Sequence, residues 1–205
     1  MKKLSIILLF SFANSFAQIT TLQKANENLE TITLAGGCYW CVEAVYEQLD
    51  GVKSAVSGFA GGKMANPSYE DVSTGRTGYA EVVQITYDKT KTNLDEIFKV
   101  FFTVHDPTTL NRQGADVGTQ YRSAIFYKNE AQKKAAQSII AALTKAKVYD
   151  SPIVTTLEPL AKFYPAEAYH QNYYENNKDQ PYCQMVIQPK LEKFEKVFKN
   201  RLKKR

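Results

Sequence analysis

Thr31-Ile32-Thr33-Leu34-Ala35-Gly36-Gly37-Cys38-Tyr39-Trp40-Cys41 is the stretch that decides the architecture. Thr31 to Ala35 reads as a short strand, bounded by Gly36-Gly37. Beyond the glycines, Val42, Val45, Tyr46 and Leu49 follow i, i+3, i+4, i+7 spacing, so a helix starts near Cys38. Gly51 then stands where a helix commonly closes at C′. Cys38 therefore sits at a helix N-terminus, where unpaired backbone N–H groups favour an anion. The thiolate is expected to be stabilised and the thiol pKa to fall. Two glycines let the chain turn tightly and leave the sulfur uncovered. Cys41 is three residues on and shares a helix face with Cys38, so the pair can form a disulfide. Two readings compete with redox chemistry. The cysteines can be small buried hydrophobes. They can also be zinc ligands, with Cys183 and either His105 or His170 completing four, but the spacing matches no common zinc pattern.

Outward from this stretch, strands alternate with helices. Val52 to Phe59 reads as a strand, and Gly61 to Gly78 as a loop rich in Gly, Asn, Pro and Ser. Ala80 to Asp88 is a strand. Asn93 with Glu96 marks the start of a helix through Val104, which Pro107 terminates. Asp106 to Thr119 is a second long loop, Gln120 to Tyr127 a strand, Glu130 to Lys145 a helix and Ile153 to Glu158 a strand. Further helices are expected near Ala166 to Asn176 and Lys190 to Leu202. The class is α/β or α+β. Loops of this length in an ordered chain usually carry function.

The 205 residues are 44% hydrophobic and 23% charged, a globular balance able to bury a core without disulfide staples. Residues 1–17 read as a signal peptide: Lys2 and Lys3, an apolar run from Leu4 to Phe12, then Ser15-Phe16-Ala17 as a cleavage site. The run is much shorter than the ~20 residues a membrane span needs. Residues 18–30 read as an N-terminal extension and 31–205 as the functional domain. The leader holds two lysines and no acid, so a net charge of +5 becomes +3. The excess gathers in Lys196, Lys199, Arg201, Lys203, Lys204 and Arg205, read as the solvated face and tail of a last helix, not as a nucleic-acid surface. Export implies a compartment where disulfides persist, periplasmic or extracellular. Three cysteines leave one thiol over, which points to reactivity.

Several motifs, in order, resemble one family. Gly37-Cys38-Tyr39-Trp40 is similar to the Gly-Cys-Phe-Trp signature of the peptide-methionine sulfoxide reductase A family. Asn66 to Val72, Thr77 to Val83 and Asp116 to Ser123 resemble its next motifs. Tyr169-His170-Gln171 and Pro181-Tyr182-Cys183 resemble its C-terminal segments. The resemblance runs from about Thr31 to about Lys190. It implies an α+β fold, a ferredoxin-like two-layer sandwich with long active-site loops. It implies thiol-dependent repair of oxidised methionine, of the S epimer, in proteins or peptides. A thioredoxin-like reductant is expected, with no metal or organic cofactor, no nucleic acid and no membrane association once the leader is cut.

On this resemblance Cys38 is the nucleophile and becomes a sulfenic acid. Glu81 is the proton donor. Two-residue alternation already puts it on one face with Val83, Ile85 and Tyr87, where desolvation raises a carboxyl pKa. Tyr69 and Tyr121, two of 13 tyrosines, are singled out only by their motif positions, as donors to the sulfoxide oxygen; Asp116 orders the hydrogen bonds. Tyr39 and Trp40 hold the S-methyl group, with His170 lining the site. Tyr39 departs from the family's phenylalanine, and Cys41 from its glycine. Cys41 and Cys183 are both recycling thiols, with no order assigned. The rivals are a thioredoxin-like thiol–disulfide oxidoreductase, which does not need Glu81, and a Cys/His metal-binding module.

Overall fold

The computed structural model describes residues 27–204; the signal-peptide reading of residues 1–17 and most of the 18–30 extension fall outside them. The sheet strands are β1 (Leu29–Gly36), β2 (Val52–Ala60), β3 (Ala80–Asp88), β6 (Ser123–Tyr127), β7 (Thr156–Pro159) and β8 (Phe163–Pro165), in the order β7-β6-β1-β3-β2-β8. Neighbours run antiparallel except β6 and β7, which are parallel. β4 (Arg112–Gln113) and β5 (Asp116–Val117) form a separate two-stranded hairpin. The helices are α1 (Tyr39–Gln48), α2 (Tyr69–Ser73), α3 (Leu94–Val104), α4 (Glu130–Lys145), α5 (Tyr173–Asn176) and α6 (Gln188–Val197). The fold is α+β with a mixed sheet.

The sheet has unequal faces because its strands alternate two kinds of apolar side chain. Ala35, Ala60, Ala80, Val82, Ala124 and Phe126 form a thin cluster covered by Leu160 and Phe163. The opposite residues, among them Ile32, Leu34, Val83, Ile85 and Ile125, join the main core with α1, α3 and α6. α3 supplies Phe98, Phe101 and Phe102, all buried. Each such ring contributes about 1.5–3 kcal/mol on burial. Tyr46 of α1 donates its hydroxyl to Ile97 O at 2.7 Å, so the most buried phenol stays paired and ties the two helices. Asn93 accepts from Glu96 N at 3.0 Å, the expected cap of α3.

Several expectations shift. β1 begins at Leu29, two residues before Thr31, because Leu29 and Glu30 still pair with Asp88 and Tyr87. Gly51 does not close α1. The helix ends at Leu49, and Gly51, at φ +88°, forms the turn into β2, where a Cβ would strike Thr92 at 2.8 Å. β6 begins at Ser123, since Thr119–Tyr121 form a 3-10 turn. β7 begins at Thr156, three residues later than expected. No single helix covers Ala166 to Asn176: a 3-10 turn (Ala168–His170) and α5 replace it, preceded by the unforeseen edge strand β8. The last helix starts early, through a π-helical turn at Cys183–Ile187 that runs into α6. The first long loop contains α2, and the second contains the β4–β5 hairpin. Among the described residues no helix is long and apolar enough to cross a membrane.

Candidate active site

The site lies where β1 hands over to α1. Gly37 takes φ +88° with the Gln113 side chain where a Cβ would be, at 2.5 Å, so only glycine fits. Cys38 follows as the N-cap of α1, but its side chain makes no cap hydrogen bond. The cap comes from the sheet. Glu81, second residue of β3, faces the main core and accepts the Tyr39 N–H on Oε2 at 3.1 Å.

That hydrogen bond corrects an expectation. The helix N-terminus was expected to lower the Cys38 pKa. Instead Glu81 takes the N–H, Cys38 is 5% exposed, and burial pushes its thiol well above the ordinary value. Cys41 is the thiol that is lowered, to about 7, first because the Cys38 thiol hydrogen-bonds to it, and further by the Lys190 ammonium. Burial thus holds Cys38 toward its thiol form, while its neighbours draw Cys41 toward ionisation. Glu81 behaves as expected: 3% exposed, it is pushed up to about 8 by burial, against the pull of the Tyr39 N–H.

Around these groups stand three phenols. Tyr182 donates its one hydroxyl proton to Asp116 Oδ2 at 2.7 Å and lies beside the Cys38 thiol. Asp116 reaches the site because the β4–β5 hairpin folds over it. Tyr69 opens α2, fixed by a reciprocal Ser68–Asp71 capping box, and its N–H donates to Glu167 Oε1 at 3.0 Å. Tyr121 ends the 3-10 turn before β6. Burial raises Tyr69 and Tyr121, and both also respond to charge on Glu81 and Cys38, which places them beside that pair.

An aromatic wall closes one side. Trp40 stacks on Tyr173 at 3.6 Å between centroids and 5° between planes. Its Nε1–H donates to His170 Nδ1 at 3.2 Å. The His170 ring lies 4.5 Å from Tyr69 and 5.3 Å from Tyr39. Tyr39 is buried among Phe59, Trp40 and His170, and its hydroxyl has no partner in the protein. His170 was expected on an amphipathic helix. It sits in a 3-10 turn, buried, and burial lowers its pKa, so it is neutral with its proton on Nε2. That nitrogen faces Glu167 Oε2 at 3.9 Å.

Cys183 is fully buried at the head of the π-helical turn; burial and the nearby Cys41 charge raise its thiol. All three cysteines are free thiols. His105 lies apart from this group. It is buried between Phe101 O at 2.6 Å and Ser123 Oγ at 2.8 Å, with a pKa lowered to about 4 by burial. Among the described residues no group of three or more His, Cys, Asp and Glu is arranged to hold a metal ion.

The structure thus brings together Cys38, Cys41, Cys183, Glu81, Tyr69, Tyr121, Asp116, Tyr39, Trp40 and His170. Sequence reasoning missed Tyr182, Glu167, Tyr173 and Lys190 as neighbours. Tyr182 alone had a signal, its place beside Cys183 in a motif-like segment.

Residues 30–202 match the family model described as peptide methionine sulfoxide reductase. The chain belongs to this family. Peptide methionine sulfoxide reductase MsrA 1 of Rhodopirellula baltica is 52% identical over 180 residues, 88% of this chain and 93% of that one. The MsrA of Chromobacterium violaceum is 51% identical, covering 85% of this chain and 99% of its own. Among solved structures, reduced Mxr1 from Saccharomyces cerevisiae superposes with a TM-score of 0.68 at 36% identity, over 77% of this chain and 90% of that one. Methionine sulfoxide reductase A of Corynebacterium diphtheriae gives 0.66 at 36% identity, over 74% and 76%. The reductase family therefore coincides with a cluster holding a protonated carboxyl, a buried thiol pair and an aromatic wall.

Proposed function

We propose that this protein reduces methionine S-sulfoxide, free or within peptides and proteins, to methionine, with Cys38 as the nucleophile. The observation that carries the reading is Glu81, a carboxyl pushed up to about 8 and hydrogen-bonded to the residue next to Cys38. It holds a proton at neutral pH beside the attacking sulfur. A general disulfide exchanger has no leaving oxygen to protonate and does not need such an acid.

The Cys38 sulfur attacks the sulfoxide sulfur while Glu81 protonates the oxygen, which is too basic to leave bare. The S–S bond so formed breaks as the hydroxyl moves from the methionine sulfur to the Cys38 sulfur: the S–S electron pair leaves on the methionine sulfur as sulfide, Cys38 becomes a sulfenic acid, and the Cys38 proton replaces the one Glu81 gave. Tyr69 and Tyr121 donate to the same oxygen, and Asp116 orients the hydrogen bonds through Tyr182. Tyr39 and Trp40 take the S-methyl group, with His170 fixing the indole. A second thiol then attacks the sulfenic sulfur, forming a disulfide and releasing water. Cys41 lies next to Cys38 and the Lys190 ammonium draws it toward ionisation, so it is ready to do this first. Cys183 then attacks the Cys41 sulfur, breaking the Cys38–Cys41 bond, which frees the Cys38 thiol and leaves a Cys41–Cys183 disulfide, and a thioredoxin-like dithiol protein reduces that disulfide to two thiols.

The sheet order β6-β1-β3-β2 with α1 and α3 as the crossovers supports a ferredoxin-like two-layer arrangement, extended by β7 and β8. Residues 1–17 are proposed as an export signal, 18–30 as an extension and 31–205 as the reductase domain, working in a periplasm or outside the cell.

The test is to offer separate S and R epimers of a methionine sulfoxide peptide with a dithiol, beside Cys38→Ser. Reduction of the S epimer alone, abolished in Cys38→Ser, is expected. Reduction of insulin disulfides with neither epimer touched would return the site to the exchanger reading.

A further inference from the structure

Glu43 lies on α1, two residues past Cys41, only 2% exposed, and none of the steps above uses it. A carboxyl is seldom buried without a partner. Here the partner is backbone: Glu43 Oε1 accepts the N–H of Asn172 at 3.2 Å. Asn172 is left-handed, φ +51°, and has no side-chain cap bond of its own at the start of α5. It sits between residues that both touch Trp40: His170, two residues before it, accepts the indole N–H, and Tyr173, directly after it, stacks on the ring. Gln171 is separately fastened to β2, its side chain bonded to Ser57 N and O at 3.0 Å each. Glu43 is thus the side chain that sets where the chain turns from His170 to Tyr173.

We propose that Glu43 is a positioning residue for the substrate wall: its carboxylate holds the Asn172 backbone so that His170 and Tyr173 both engage Trp40, and its protonation loosens that wall. This rests on the reading of Trp40 as the methyl-binding surface.

Burial raises Glu43 to about 7, with Glu47 adding to the rise and the Asn172 and Tyr173 backbone opposing it. Glu47 is one turn further along α1. Lys53 of β2 and Lys203 of the C-terminal segment line the same cavity of about 530 Å³. Glu175 of α5 acts on Glu47, while His170 turns toward Trp40. A charge-assisted hydrogen bond is roughly twice as strong as a neutral one. The clamp is therefore tight above pH 7 and slack below it. Stability runs the other way. Because the folded-state value lies above the ordinary one, Glu43's contribution is full below pH 4.5 and is lost as pH rises through 7. Glu43→Gln should loosen the wall yet be no less stable at pH 8. A residue that served packing alone would lose stability at every pH.

Trp40 is the chain's one tryptophan, so its emission reports the wall without reference to activity. The titration is run from pH 5.5 to 8.5 in a Cys38→Ser, Cys41→Ser background, which removes the thiolate beside Trp40. We expect an emission transition near pH 7 that Glu43→Gln abolishes. In the thiol-bearing protein, Glu43→Gln should raise KM for methionine S-sulfoxide about three- to ten-fold at pH 8 with kcat within about two-fold. Absence of the transition in the Glu43 protein, its survival in Glu43→Gln, or a fall in kcat with KM unchanged would overturn the proposal. Should Glu43→Gln not fold, the titration of the Glu43 protein alone decides, since no transition between pH 6 and 8 refutes it. If the transition behaves as expected and no sulfoxide is reduced, the clamp stands and the reductase reading falls.

Discussion

Replacing Glu81 by Gln removes an acid and keeps its shape, and the structure predicts two effects of opposite sign. Gln can still accept the Tyr39 N–H that Glu81 Oε2 accepts at 3.1 Å, so α1 keeps its cap. Chemistry suffers because amide cannot donate a proton to the sulfoxide oxygen; a positioned general acid is worth about 10²–10⁴ in rate. Single-turnover formation of Cys38 sulfenic acid should slow by about that factor. The Glu81 enzyme should lose rate as pH rises through about 8 and its donor empties. The Gln variant should lack that limb. Stability moves the other way. Glu81's folded-state value is raised, so its contribution is full below pH 4.5 and is lost as pH rises through about 8. A rise from 4.5 to about 8, at 1.36 kcal/mol per pH unit, sets the cost of the buried carboxylate at pH 9 on the order of 5 kcal/mol at most. Gln never incurs it. With about 2–4 °C per kcal/mol for a chain of this size, Glu81→Gln should melt several degrees higher at pH 9 and match the Glu81 protein at pH 4. Thermal unfolding at pH 4, 7 and 9, together with mass spectrometry of trapped sulfenic acid, measures both. Equal pH dependence of Tm would refute the buried-acid assignment. A single-turnover rate within about three-fold would refute its role as donor.

The Cys41→Ser, Cys183→Ser double variant should release one sulfide per chain, stall as the Cys38 sulfenic acid, and fail to turn over with a dithiol protein donor; sustained turnover would remove both from recycling. With Cys41 present, disulfide formation should accelerate with rising pH, since the thiolate is the nucleophile and the Lys190 ammonium still favours it after Cys38 is oxidised; stopped-flow at pH 6 and 8 reads this, and a rate independent of pH would contradict it. Tyr182→Phe removes the donor to Asp116 Oδ2, costing about 1.5–3 kcal/mol by chemical denaturation; a midpoint unchanged from the parent protein would contradict it.

Local signals were legible where local physics decides. The Asn93–Glu96 cap, β3 and α4 lie at the residues the sequence indicates, because a cap pair, strict alternation or a helical period needs no distant partner. Glu81 was legible as a buried acid for the same reason: alternation in β3 leaves it no other face. What failed was set by tertiary contacts. β8 has three residues and exists only because β2 offers an edge from Gly58 to Ala60. The Ala166–Asn176 segment is broken because Gln171 and Asn172 are claimed by Ser57 and Glu43, more than a hundred residues away in sequence. The Cys38 pKa was misjudged chiefly because burial outweighs the helix terminus, an argument that also assumes a free N–H. Glu81 had already taken it. Tyr182 lay in a family-like segment beside Cys183, but nothing local gave a phenol among 13 a role until the chain's return placed it against Asp116.

The corrected thiol pKa makes better sense of the chemistry than the expected one. Burial drives nearly every group here toward its neutral form: Glu81, Cys38, Tyr39, Tyr69, Tyr121 and Tyr182 upward, His170 downward. Transfer of an oxygen from sulfoxide to thiol is neutral overall, so a dry, proton-loaded site avoids desolvating an anion before substrate arrives. The proton needed at the sulfoxide oxygen is already on Glu81. The one group drawn toward ionisation is Cys41, which is the thiol needed in the next step and not in the first. A sulfenic acid on a residue only 5% exposed meets a neighbouring thiolate sooner than a second oxidant from solvent. The division of labour between the thiols thus follows from their surroundings: burial holds Cys38 as a thiol, while Cys38 and the Lys190 ammonium draw Cys41 toward ionisation.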